Sequence, residues 1–179
     1  MNFQSAASKQ GEHFAQTCLM VLGYAGFDVV AVRERTSDMD IELDAIANNR
    51  QGIAFPFEFK GSYQGSRPGM MRSDTVKKAI ATAYLFSKDE MALTMAPLVI
   101  LTSHKPNAGS ASARWLSNIE RSVILDVLNV HEDRQTLTKY ANMTEAEIKR
   151  LIDGDVAAVE HQKRRNGYYD CFKQNNFGL

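Results

Sequence analysis

Carboxylates crowd two short neighbouring runs of this 179-residue chain, Asp38–Ala47 and Ala54–Gly61, and a lysine joins them in the second. Both runs alternate apolar and charged residues. Successive side chains of a strand point to opposite faces, so each run gathers its charged groups on one side of a sheet. Oxygen ligands of this kind suit a hard divalent cation, and an ammonium group beside them suits the charge of a phosphodiester.

In the first run Ile41, Leu43, Ala45 and Ala47 are expected on one face, with Asp40, Glu42 and Asp44 on the other. In the second, Phe55, Phe57 and Phe59 share a face and Glu58 and Lys60 take the opposite one. Between them Asn48-Asn49-Arg50-Gln51-Gly52 has turn composition, which predicts an antiparallel hairpin. Residues opposite each other in such a pair share a face. Asp44 therefore converges with Glu58 and Lys60 in direct register or after a slip of two. Odd slips would put the three phenylalanines in water. The Glu-x-Lys triplet alone carries no weight: 21 acidic residues and 10 lysines yield about one acidic-x-Lys triplet by chance, and the chain has a second in Glu147-Ile148-Lys149. That copy lies in a helical stretch, where side chains two apart diverge by roughly 200°. A solvated sheet face would also show Asp, Glu and Lys. Against that, like charges facing each other destabilise a sheet, and Asp and Glu are poor strand formers.

The elements that must position these groups follow from periodicity. Ser5 to Leu22 reads as a helix whose Phe14, Cys18 and Leu22 form an apolar stripe, with Gly23 as its stop and Glu12 one or two turns inside. Phe27 to Arg33 reads as the first strand. A loop over Tyr63 to Met71 precedes a helix from Ser73 or Asp74, as cap, to about Lys88, with Val76, Ile80, Ala83 and Tyr84 on its buried side. Pro97–Thr102 is a continuous apolar run, as in a strand covered on both faces, and Ser122–Val130 is another. A helix holding Trp115 and Ile119 lies between them, which predicts a parallel crossover. Thr144-Glu145-Ala146-Glu147 is a capping box opening a further helix. Beyond it lie Lys163-Arg164-Arg165 and the aromatics Tyr168, Tyr169, Phe172 and Phe177, read as a tail packing on the domain rather than as a nucleic-acid surface.

Helix with glutamate, strand, acidic hairpin ending in Glu-x-Lys, helix and apolar strand form an order that resembles the PD-(D/E)XK nuclease superfamily over roughly residues 8–130. The likeness is greatest to its resolvase and restriction-type members. Leu43-Asp44-Ala45-Ile46-Ala47 is similar to their aspartate followed by small and apolar residues, and Glu58-Phe59-Lys60-Gly61-Ser62 to their Glu-x-Lys-Gly/Ser. Leu43 stands where proline is nominal. Pro56 lies within the Glu58 strand, where it cannot donate to a ladder and points to a bulge or unpaired position.

The resemblance implies an α/β, restriction-endonuclease-like fold with a central mixed β-sheet, antiparallel hairpin plus parallel strands, flanked by helices. Residues 1–135 would form the nuclease-like core and 136–179 a C-terminal helical extension packed on the same domain. It further implies a metal-dependent DNA endonuclease. Asp44 and Glu58 would be its Mg²⁺ ligands, Lys60 its catalytic lysine and Glu12 the first-helix glutamate. The Phe59 carbonyl adds a further oxygen for the metal, Mn²⁺ is an expected substitute for Mg²⁺, and Asp40, Glu42 and Ser62 support the ligands. Arg67, Arg72, Lys77 and Lys78 are candidate phosphate contacts. The alternative is a catalytically inactive nuclease-fold subunit that binds DNA or assembles a larger DNA-processing system. A homodimer is expected where both strands are cut.

Bulk properties set the frame. Formal net charge is zero, so DNA binding must rest on local patches. Two cysteines, Cys18 and Cys171, give neither a disulfide framework nor zinc spacing. There is no apolar run of membrane-spanning length and no signal-peptide pattern, so the cytoplasm is expected. No His-rich metal motif, Walker loop or nucleophile elbow favours a different hydrolase.

Overall fold

The three phenylalanines of Ala54–Lys60 set the register of the whole sheet. In a computed structural model, which describes residues 3–63 and 67–154, that segment (β3) pairs antiparallel with Glu42–Asn48 (β2), from Asn48 opposite Ala54 to Ala45 opposite Phe57. The connecting turn is held by Asn49, whose Oδ1 accepts from the N–H groups of Gln51 and Ile53 at 2.9 and 3.0 Å, and by Gly52 at φ 76°. Asp28–Arg35 (β1) flanks β2 antiparallel. Leu98–Thr102 (β4) and Ile124–Asn129 (β5) extend the other side in parallel, in the order β1-β2-β3-β4-β5. The molecule is thus α/β, with a five-stranded mixed sheet between helices.

Each face of the sheet buries its own cluster. On one, Phe27, Phe55, Phe57, Val99, Leu101 and Leu128 meet Phe14, Cys18 and Leu22 of Phe3–Ala25 (α1) and Leu137 and Tyr140 of the helix Arg134–Asn142 (α4). On the other, Leu43, Ile46, Leu98 and Ile100 meet Val76, Ala79, Ala83 and Phe86 of Ser73–Phe86 (α2). Leu116 of Ala111–Ser117 (α3) packs at the margin of that second cluster. β4 is buried at every residue, as its unbroken apolar run requires.

Several elements depart from expectation for local reasons. The first helix runs through Gly23 to Ala25. Its stop is Gly26, at φ 103°, where Phe27 N–H reaches Leu22 O and Gly26 N–H reaches Gly23 O in a Schellman closure. The first strand accordingly starts at Asp28, not Phe27, and continues to Arg35 with a register shift between Val29 and Ala31. The second helix ends at Phe86. Arg72, not Ser73 or Asp74, holds its N-cap position without a side-chain cap, and Tyr84 is exposed while Phe86 fills the core.

Pro56 brings no bulge, because the β2–β3 register continues through Ile46 opposite Pro56. Asn49 N–H bonds Ile53 O, so by alternation the odd-numbered residues of β3 are the ones aimed at β2. The missing N–H of Pro56 faces the other edge, where the parallel ladder with β4 begins only at Phe57.

The alternation of β2 also breaks. Ala45 and Ala47 join the α1-side cluster as the phenylalanines do, but Leu43 and Ile46 join the α2-side cluster. The face expected for Ile41, Leu43, Ala45 and Ala47 together is therefore divided. The alternation breaks between Leu43 and Ala45, at Asp44. The capping box forms as expected, Glu147 Oε2 accepting from Thr144 N–H at 2.8 Å, and residues 145–154 are helical. Cys171 and the basic and aromatic residues from Lys163 onward lie outside the described residues.

Candidate active site

Asp44 immediately precedes the residues of β2 that form the ladder with β3. The last paired residues are Ala45 and Phe57, and one further step brings Asp44 opposite Glu58. There the aspartate side chain takes over from backbone: its Oδ2 accepts from the Phe59 N–H at 2.6 Å. A strand residue's N–H and C=O project to the same edge, so the Phe59 carbonyl also faces Asp44.

Glu58 is only 4% exposed. Its Oε1 forms an ion pair with Lys60 Nζ, the two side chains being neighbours on one face of β3. Its Oε2 is buried and, among the described residues, has no hydrogen-bond donor. An acceptor left in that condition is costly, about 1–3 kcal/mol or more when charged. Burial pushes the Glu58 carboxyl up to about 7, and the Asp44 charge adds to the rise against the pull of Lys60. Asp44 is raised too, by burial, in spite of the Phe59 N–H and Lys60. The two acids and the lysine therefore form one electrostatic unit that holds a proton more tightly than free carboxylates do.

Glu12 and Glu42, both exposed, border the same cavity of about 280 Å³ as Asp44 and Phe59. Glu42 also lies 3.8 Å from Arg35. Asp40 does not join the site as expected. It sits in a turn at φ 47°, before β2 begins, and its Oδ1 is paired with Arg35 at 2.8 Å. Ser62 contributes backbone: its N–H donates to Ser103 Oγ at 3.1 Å and its carbonyl accepts from the same hydroxyl at 2.9 Å, tying the ends of β3 and β4 together. Arg67, Arg72, Lys77 and Lys78 are exposed and do not line the Asp44 cavity. Lys77 Nζ lies over the Trp115 ring, 5.5 Å from its centre.

Among the described residues no group of three or more His, Cys, Asp or Glu converges as a metal cluster. Two carboxylates and a strand carbonyl nonetheless match what Mg²⁺ asks of a protein, since it keeps several waters and takes the rest from substrate oxygens. The donorless Glu58 Oε2 is the atom such a cation would satisfy.

Two features escaped the sequence reading. Gly61 is required because a Cβ there would run into the Phe14 ring, which packs α1 directly on the end of β3. Arg33 stands across from Asp44, since Val32 pairs with Ala45 and Glu34 with Leu43 on either side. Its backbone is in the left-handed region, at φ 55°. Read as the last residue of a valine-rich strand, it gave no signal. No family model matches this chain, and comparisons with curated proteins and with solved structures yield no match.

Proposed function

We propose that this chain is a metal-dependent DNA endonuclease of the restriction-endonuclease-like, PD-(D/E)XK kind. One observation carries this: a buried glutamate, paired to a lysine through one oxygen and without a donor on the other among the described residues, lies across from an aspartate on the next strand. Asp44 and Glu58, with the Phe59 carbonyl, are the residues that would hold Mg²⁺ or Mn²⁺. When bound, such a cation lowers the pKa of water and neutralises charge on the phosphate.

The chain's own groups do the rest. The Phe59 N–H holds one Asp44 oxygen at 2.6 Å, and the Asp44 carboxylate lies close enough to Glu58 for the two to influence each other's proton. Glu58 Oε1 anchors the Lys60 ammonium next to the carboxylate pair. From there Lys60 can donate a hydrogen bond to a non-bridging phosphate oxygen or orient the attacking water. Hydrolysis forms one P–O bond from that water and breaks another, and the leaving oxygen takes up a proton. Partial burial of Lys60 and Glu58 strengthens these electrostatics relative to open solvent.

The test is cleavage of plasmid and branched DNA by the purified protein with Mg²⁺ or Mn²⁺, beside Lys60→Ala. A positioned proton donor or acceptor is worth roughly 10²- to 10⁴-fold, so the variant should lose at least about 100-fold in rate. Equal activity in the two proteins would remove the assignment.

A further inference from the structure

Opposite Asp44, on the strand away from Glu58, the sheet holds an arginine in a conformation that arginine disfavours. A non-glycine residue in the left-handed region costs on the order of 1 kcal/mol, and such strain gathers at functional positions. The irregularity is double. Arg33 is left-handed on β1, and its cross-strand neighbour Asp44 lies between Leu43 and Ala45, which join opposite clusters. Both side chains line the cavity that Glu12, Glu42 and Phe59 also border. Among the described residues Arg33 makes no ion pair within 4 Å, whereas Arg35, two residues on, is committed to Asp40 and Glu42. The guanidinium is exposed, and its charge acts on Asp44 from the β1 side.

We infer that Arg33 is a phosphate-binding residue, gripping a DNA backbone phosphate that flanks the one at Glu58 and Lys60. This rests on the nuclease reading above. Arg33, Asp44 and Glu58 lie in line across three strands, and Lys60 is two residues further along β3. With strands about 4.8 Å apart and about 3.3 Å of rise per residue, the Arg33 and Lys60 backbones stand roughly 12 Å from each other. That span suits two different phosphates along one strand better than one phosphate held from both sides. A guanidinium offers a planar fork that matches phosphate oxygens in pairs, and it stays charged at every working pH. An ordinary ion-pairing role for Arg33 would not need the strained backbone, since Arg35 pairs from a regular strand position.

The experiment is equilibrium binding of a short duplex DNA in EDTA, where nothing is cut, measured against salt concentration for wild type, Arg33→Gly and Arg33→Lys. Glycine accepts the left-handed backbone, so Arg33→Gly should fold with an unchanged or higher melting temperature. It should bind DNA roughly fivefold to tenfold more weakly, and the slope of log K against log salt should be shallower by about 0.9. Arg33→Lys keeps the charge and loses the fork, so its slope should stay near wild type while its affinity falls by less. If Arg33→Gly matches wild type in affinity and slope while Lys60→Ala still abolishes cleavage, the phosphate role of Arg33 is overturned and the nuclease stands. A lower melting temperature for Arg33→Gly with unaltered DNA binding would instead make Arg33 a structural counter-charge to Asp44. Wild-type protein that neither binds nor cleaves DNA would overturn both.

Discussion

Glu58 and Asp89 are both acidic and both almost wholly buried, at 4% and 2% exposure, yet the chain treats them in opposite ways. Asp89 is saturated with donors. Its Oδ2 accepts from the N–H groups of Asp38 and Met39 at 3.1 and 3.0 Å, and its Oδ1 from Met91 at 3.0 Å. Asp38 answers by accepting from the Glu90 N–H at 3.1 Å, so the loop entering β2 is stitched to the segment after α2. Burial works to raise the Asp89 carboxyl, but these N–H groups and the Thr36 hydroxyl hold it below the usual carboxylate value. Glu58 has one lysine, a second carboxylate across the strand and, among the described residues, an oxygen with no donor, and its carboxyl is pushed up to about 7. Burial is common to both. The supply of donors separates a structural acid from one that is poised to take a cation or a proton.

Substitution should separate them most sharply. Glu58→Gln and Asp44→Asn keep shape and remove charge, so each should reduce DNA cleavage by at least about 100-fold. Melting temperature at pH 7.5 should hold or rise, because a charge buried without adequate donors is lost. Asp89→Ala should do the reverse. It strips acceptors from three backbone N–H groups, a loss of about 3 kcal/mol. For a chain of this size that lowers the melting temperature by roughly 10 °C. Parallel melting and cleavage measurements on the three variants check this. Loss of stability in Glu58→Gln comparable to that in Asp89→Ala would collapse the distinction.

The pH dependence of stability supplies the next break. Glu58 has its folded value raised from 4.5 to about 7. The folded state therefore binds the proton more tightly than the unfolded one, and this stabilisation is complete below about pH 4.5 and disappears as pH rises through 7. At 1.36 kcal/mol per pH unit the loss approaches about 3 kcal/mol, shared with Asp44. Asp89 runs the other way: its depressed value lends stability above the ordinary aspartate range, which is lost on acidification. Melting curves from pH 4.5 to 8.5 should fall toward the alkaline side in wild type and flatten in Glu58→Gln. Mg²⁺ or Mn²⁺ should restore stability at pH 8 and do little at pH 5, where protons compete for the same oxygens. A wild-type profile that rises steadily from pH 5 to 8 would contradict the raised Glu58 carboxyl.

The contrast also shows which features were legible in the sequence. Alternation in Ala54–Lys60 gave the buried Phe55 and Phe57, the half-buried Phe59 beside them and the opposite face of Glu58 and Lys60, because one strong apolar set leaves a strand no choice of face. The turn at Asn49–Gly52 and the buried β4 were readable from composition, as was the convergence of Asp44 with Glu58. The face of Leu43 was not, since a break in alternation at one residue depends on how α2 and α1 compete for neighbouring side chains. Asp40 and Glu42 looked equivalent to Asp44 by alternation, but Asp40 precedes the strand and is spent on Arg35. The Asp89 knot joins residues about 50 positions apart, and no local pattern announces it. Arg33 acquires meaning only from the cross-strand pairing and from a backbone angle.

Asp38 offers the finest test of the donor rule, because it takes part in the same knot as Asp89 from an exposed position. Its Oδ2 accepts one N–H, that of Glu90, and water can replace it. Asp38→Ala should therefore cost no more than about 1 kcal/mol, a shift of roughly 2–4 °C in melting temperature. In the double variant with Asp89→Ala the two losses should fall short of additivity, since both act on one connection between the β2 entry loop and the segment after α2. Full additivity would mean that Asp38 and Asp89 hold that loop independently. The stitch would then be two separate caps, each holding the β2 entry loop on its own.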